Sequence, residues 1–197
     1  MQEPIFKSIF QDSWNDLPLV MKKHYANRAY SNDEVIIEGY LDVYCRWFLK
    51  PLFWLFGTVP PYNKKNTPVT IHFKSESNSR AFCFDRIFFF SIDKPFHFRS
   101  KMFQFQNNEV IEVMNYGICW HSLYSWNGTK VELKHKGYSF KLFGFYIPLP
   151  ITWIIGAGNS QEFPIDDYSF RVHATINHHI FGKFYEYKGE FKFTKEL

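Results

Sequence analysis

From Thr67 to the C-terminus, apolar and polar residues alternate with a period of two, the signature of strands buried on one face. Val69, Ile71 and Phe73 alternate with Thr70, His72 and Lys74. Phe82, Phe84, Phe88 and Phe90 recur on one face of the next predicted strand, and Asp93-Lys94-Pro95 forms a turn to its partner. Val110, Glu112 and Met114 oppose Glu109, Ile111 and Val113, which predicts a strand covered on both sides. Ile118, Trp120, Ser122, Tyr124 and Trp126 line one face of the next. Asn127-Gly128 then predicts a tight type I′ hairpin. Val131, Leu133 and His135 continue beyond it, Gly137 marks a bulge, and Tyr138, Phe140 and Leu142 follow. Tyr168 to Ile176 and Tyr185 to Phe193 give two further alternating runs.

The first third reads differently. Ile5, Phe6, Ile9, Phe10, Trp14 and Leu17 recur at helical spacing, predicting helix over 5–26 interrupted at Pro18. EVIIEGYL, residues 34–41, predicts a short strand. Residues 42–56 return to helical spacing until Gly57 and Pro60-Pro61 stop them. The total is roughly nine to eleven strands, by the spacing of strand and turn signals. The expected fold is therefore α+β but mainly β: a curved antiparallel sheet closed as a barrel or half-barrel, lipocalin-like in outline, with two N-terminal helices. All 197 residues form one expected domain, with 1–60 as a helical cap plus first strand and 67–197 as the sheet.

Composition sharpens this picture. Aromatics make up 21% of the chain, with 24 Phe, and imply either a phenylalanine-lined interior or an exposed aromatic surface. A net charge of +4, spread among acids, gives no nucleic-acid stripe. Three scattered cysteines form neither a disulfide framework nor a zinc site, and are expected as reduced thiols of a cytoplasmic protein. The N-terminus does not read as a signal peptide, and the greasy run 47–56 is too short to span a bilayer.

Arg86 is the most informative residue, because it falls on the same strand face as four phenylalanines. A cation there requires a partner. It is either a structural ion pair with Glu112 or Glu162, or an anchor for the anionic head of a hydrophobic or amphipathic ligand, with Tyr124 or Tyr138 adding a hydroxyl. Glu112 or Glu162 could also serve an enzyme as general acid or base, but no motif brings the two together. His178-His179 fits a turn on the surface better than a metal site, and His135 fits a hydrogen-bonded core histidine. Gly156-Ala157-Gly158-Asn159 fits a loop or bulge. Ser122 and Ser139 lack a hydrolase elbow. No cofactor and no metal is expected. Trp47, Trp54 and Trp153, with the greasy 146–155 loop, are candidates for peripheral membrane contact.

Arg46, Pro51-Leu52, Phe56-Gly57, Pro60-Pro61, Phe84, Arg86, Phe88 and Phe98-Arg99-Ser100 occur in an order that resembles a bacterial family, the domain of unknown function 4166. Gly144, Pro148-Leu149-Pro150, Glu162, Phe170, Val172, Gly182 and Tyr187-Lys188-Gly189 extend the resemblance, which runs from about Glu38 onward. Some larger members carry a dinucleotide-binding dehydrogenase-like domain ahead of this one; no such region is found here. The resemblance implies a stand-alone member with no established activity. Three functions remain open: a ligand-binding barrel, a small enzyme on a lipid-like substrate, or a pocketless membrane or protein-interaction module.

Overall fold

A computed structural model describes residues 2–91 and 93–197. Eleven antiparallel strands form one sheet, in the order β6-β5-β4-β3-β2-β1-β11-β10-β9-β7-β8, and pairing of β6 with β7 closes ten of them into a barrel. The strands are β1 (Glu34–Cys45), β2 (Lys64–Ser75), β3 (Phe82–Phe88), β4 (Phe96–Gln106), β5 (Glu109–Val113), β6 (Ile118–Trp126), β7 (Val131–Leu142), β8 (Phe145–Leu149), β9 (Ala157–Pro164), β10 (Ser169–His178) and β11 (Gly182–Lys195). Closure leaves no long free edge, the usual hazard of a wide sheet.

The period of two decides which residues point inward. Ile37, Leu41, Phe73, Phe82, Phe88, Phe170 and Phe191 are all buried inside, and each such side chain stabilises the fold by roughly 1.5–3 kcal/mol. Outward positions carry ion pairs instead, such as Arg99 with Asp85, Arg171 with Glu190 and Lys195 with Glu34. Gly39 and Gly189 occupy inward positions where β1 and β11 bend closely together. A Cβ on Gly39 would collide with the Glu190 carbonyl oxygen, and one on Gly189 with that of Tyr40. Their absent side chains permit the curvature that closes the barrel.

The N-terminal segment plugs one end. Its expected long helix is broken into α1 (Lys7–Phe10), a 3-10 turn (Gln11–Trp14) and α2 (Leu19–His24), because Pro18 caps α2 in extended conformation. Phe6 is wedged among Tyr25, Phe82 and Tyr124, with ring centroids 4.4, 4.9 and 5.3 Å away. The other end is covered by α3 (Lys50–Phe56), which ends at Gly57 in the left-handed region. Residues 42–45, read from sequence as helix, instead complete β1. Pairing with both Tyr185–Lys188 and the start of β2 overrides their helical spacing.

Two further expectations change. The connection after Trp126 is a four-residue loop rather than a type I′ pair. Asn127 does not have positive φ, and its Oδ1 accepts hydrogen bonds from Thr129 N and Lys130 N instead. Residues 146–155 are not a loop: most of β8 and a helical turn, α4 (Thr152–Ile155), occupy them. Strand β8 takes the upper edge of β7, so β7 pairs with β9 over only Val131–Leu133. The bulge falls at Lys136, next to Gly137, where the β6 register shifts.

Candidate functional site

The barrel encloses a cavity of ≈ 130 Å³. Its walls are mostly apolar, and they include all five residues singled out above: Arg86, Glu112, Tyr124, Tyr138 and Glu162. That they share one surface follows from the two-residue period, since β3, β5, β6, β7 and β9 each turn one face inward.

Arg86 is buried, and its Nη2 donates to Glu112 Oε1 at 2.8 Å. Its Nη1 donates to Ser100 Oγ at 3.1 Å, and Ser100 Oγ donates to the same Glu112 oxygen at 2.5 Å. The guanidinium carbon lies 4.2 Å from the centre of the Phe84 ring and 4.4 Å from that of Phe98. The triangle follows from register. Phe84 pairs with Ser100 and Arg86 with Phe98 across β3–β4, while Met102 pairs with Glu112 across β4–β5. Of the two partners considered for Arg86, Glu112 is the one that meets it.

Glu162 lies in a second polar cluster. Tyr25 OH donates to Glu162 Oε2 at 2.5 Å, and His24 Nε2 is 3.6 Å from the same oxygen. No hydrogen bond joins Glu162 to Arg86 or to Glu112, so the two carboxylates sit in separate hydrogen-bonded clusters on the wall of one cavity. Tyr124 OH donates to Met102 Sδ at 3.5 Å and Tyr138 OH to the Gly156 carbonyl at 3.2 Å, so neither hydroxyl is free. On the cavity wall the fully buried Tyr185 hydroxyl has no hydrogen-bond partner among the described residues; both ring nitrogens of His24, and the Thr67 and Ser75 hydroxyls away from that wall, also lack one.

Burial, reinforced by the Glu162 carboxylate, raises the Tyr25 and Tyr124 phenols well above their usual range. Burial likewise raises Tyr185 and Tyr138, and pushes Tyr187 up to about 12 although Arg86 pulls it down. At neutral pH these phenols are neutral hydrogen-bonding groups in an apolar space.

The sequence reading missed Ser100 as the hydroxyl joining Arg86 to Glu112, and His24 and Tyr185 as wall residues. Tyr185 lay within a recognised alternating run, and its inward face was the available signal. Nothing in the sequence marks His24, which an α-helix brings under the barrel.

His135 is hydrogen-bonded, as expected, but half-buried rather than in the core. Its Nδ1 accepts from Trp120 Nε1 at 3.1 Å, its Nε2 meets Thr152 Oγ1 at 3.0 Å, and burial lowers its pKa. His178, expected in a surface loop, is instead buried and ends β10. Its Nδ1 accepts from Ile180 N and Phe181 N, and its Nε2 faces the Trp153 carbonyl at 2.7 Å. Gly156 precedes β9 in the left-handed region, and Gly158 packs against Trp120 and Tyr138 rather than cradling a phosphate. Among the described residues, no group of three or more His, Cys, Asp or Glu is placed to hold a metal ion. No helix among them is long and apolar enough to cross a membrane.

Fold and site together define a closed antiparallel β-barrel with an aromatic interior and a buried arginine–glutamate pair. Residues 17–191 match the family described as Domain of unknown function (DUF4166), and the chain belongs to that family. No curated protein and no solved structure matches it.

Proposed function

We propose that the barrel is a binding protein for one small hydrophobic or amphipathic molecule held in its interior. The observation that carries this reading is the apolar cavity, whose wall presents the unpartnered Tyr185 hydroxyl. A buried hydroxyl without a partner costs about 1–3 kcal/mol, and a ligand oxygen would recover that. The volume limits the ligand. A cavity near 150 Å³ accepts benzene, so ≈ 130 Å³ suits a single small ring or a short acyl segment.

Charge also limits it. Arg86 and Glu112 neutralise one another, and Glu162 is a second carboxylate on the same wall. An anionic head, the sequence-based expectation, would meet an arginine already paired and a further carboxylate in a poorly screened space. A neutral carbonyl or hydroxyl head suits the site better.

The test is calorimetric titration with toluene and 1-hexanol, repeated on Ala174→Leu, which adds volume at an inward wall position. Saturable binding by the parent and none by the variant supports the reading. Equal heats in both would show that the cavity is not the site.

A second reading has its own support in the Tyr25–Glu162–His24 cluster, a carboxylate beside a phenol and an imidazole at the cavity wall. It makes Glu162 a proton-transfer base in a small enzyme. Exchange of the α-protons of cyclohexanone into deuterated water, followed by NMR and lost in Glu162→Gln, is the outcome that reading requires.

A further inference from the structure

Antiparallel topology divides the barrel's connections between two ends, and they differ in chemistry. The end plugged by the N-terminal segment carries residues 2–33, 76–81, 107–108, 127–130, 165–168 and 196–197. Eight side-chain carboxylates lie there, from Glu3 to Glu196. The connections at the opposite end are residues 46–63, 89–91, 93–95, 114–117, 143–144, 150–156 and 179–181; among these described residues Asp93 is the only carboxylate, with Asp42 and Glu186 on the adjoining strand ends.

That same end is studded with exposed apolar side chains. Phe143 is 91% exposed, Trp47 78%, Trp153 74% and Trp54 71%, and Phe145 and Ile180 are exposed beside them. Four of these connections are linked by direct contacts. The Trp153 ring is 5.6 Å from that of His179, Arg46 Nη1 donates to the Phe181 carbonyl at 2.5 Å, and Asn115 Nδ2 donates to the Gly57 carbonyl at 3.0 Å. Helix α3 divides its own faces accordingly, with Phe53 buried toward Tyr185 and Trp54 and Leu55 outward.

The cations at this end add to the contrast. On the barrel wall most lysines and arginines meet carboxylates, among them Lys101 with Glu76, Lys134 with Glu132 and Arg171 with Glu190, while Lys188 and Lys192 have no ion-pair partner among the described residues. Among the described residues, Arg46, Lys50, Lys64 and Lys141 at the aromatic end form no ion pair. Tryptophans and phenylalanines ringed by unpaired cations, with almost no acid, fit the interfacial zone of an anionic bilayer. A protein partner would not require the near absence of carboxylates, and a second copy of the chain would set like charges against one another.

We infer that this end of the barrel docks onto an anionic membrane surface, with the aromatic side chains inserted among the headgroups and the free cations against lipid phosphates. The inference rests on the surface alone and stands whether or not the cavity holds a ligand.

The test is co-sedimentation of the full chain with phosphatidylcholine vesicles, with and without phosphatidylglycerol. The protein should sediment with the anionic vesicles and stay in solution with the neutral ones. Trp54→Ser combined with Trp153→Ser should abolish sedimentation. Lys50→Gln and Lys141→Gln should each weaken it roughly fivefold. These side chains are at the surface, so circular dichroism should show every variant folded. Absence of sedimentation with either vesicle overturns the inference. So does sedimentation that ignores the tryptophan substitutions. A concentration-dependent dimer that they dissolve, without vesicle binding, would assign the patch to self-association instead.

Discussion

Replacing Arg86 by Met should destabilise the protein by about 3–5 kcal/mol, because it leaves a buried carboxylate without its counter-ion. The side chains of Arg86 and Glu112 are only 8% and 5% exposed and meet at 2.8 Å, so water cannot take over the lost contact. For a chain of this size the loss corresponds to a fall in melting temperature of about 6–20 °C. Replacing Glu112 by Leu as well, with Ser100→Ala to remove the hydroxyl that would lose both partners, removes the buried charges and their hydrogen bonds together. Such apolar replacements are often neutral or stabilising, so the triple variant should recover most of the loss and melt within a few degrees of the parent. Urea unfolding of the parent, the single variants and the triple variant measures this directly. An Arg86→Met protein as stable as the parent would refute the account of Arg86 as an internally satisfied cation. It would return Arg86 to the role of a free anchor for an anionic ligand.

Alkaline titration followed by phenolate absorbance should show five of the twelve tyrosines, Tyr25, Tyr124, Tyr138, Tyr185 and Tyr187, ionising only with unfolding. Their folded pKa values lie above the usual 10, so the stability they confer is complete below pH 10 and disappears as pH rises through the folded values, about 12 for Tyr187. At the acid end, hydrogen bonds from Lys195, His72 and Lys74 pull Glu34 from 4.5 down to about 2. This stabilisation is present above pH 4.5 and is lost as pH falls toward 2, and Glu34→Gln should flatten that part of the stability profile. Gly39→Ala should destabilise by about 3 kcal/mol or more in chemical denaturation, because its Cβ would collide with the Glu190 carbonyl oxygen, which is fixed backbone. A fully stable Gly39→Ala protein would mean that β1 and β11 approach less closely than described.

The barrel was legible because its strands bury one face each, and a period of two survives in the sequence even where register shifts. Arg86 stood out for the same reason, and its partnership with Glu112 was one of two options that the pattern allowed. What decided between them is the hydrogen-bonding register from β3 through β4 to β5, a long-range property that no local pattern encodes. Residues 42–45 misled because Tyr44, Trp47 and Phe48 are helically spaced across what is a strand followed by a 3-10 turn. His24 and Tyr185 could not be recognised as neighbours across one cavity, since a helix and a distant strand bring them there. Trp47, Trp54 and Trp153 were visible as greasy positions. Their gathering at one end follows only from strand order and direction.

Native mass spectrometry of the purified protein, followed by solvent extraction, tests the central claim most directly. The account predicts one neutral molecule per chain, with a single ring or short chain and a carbonyl or hydroxyl, lost in Ala174→Leu. A ligand-free mass, together with no saturable uptake of toluene or 1-hexanol, would contradict it and leave the interior a filled core.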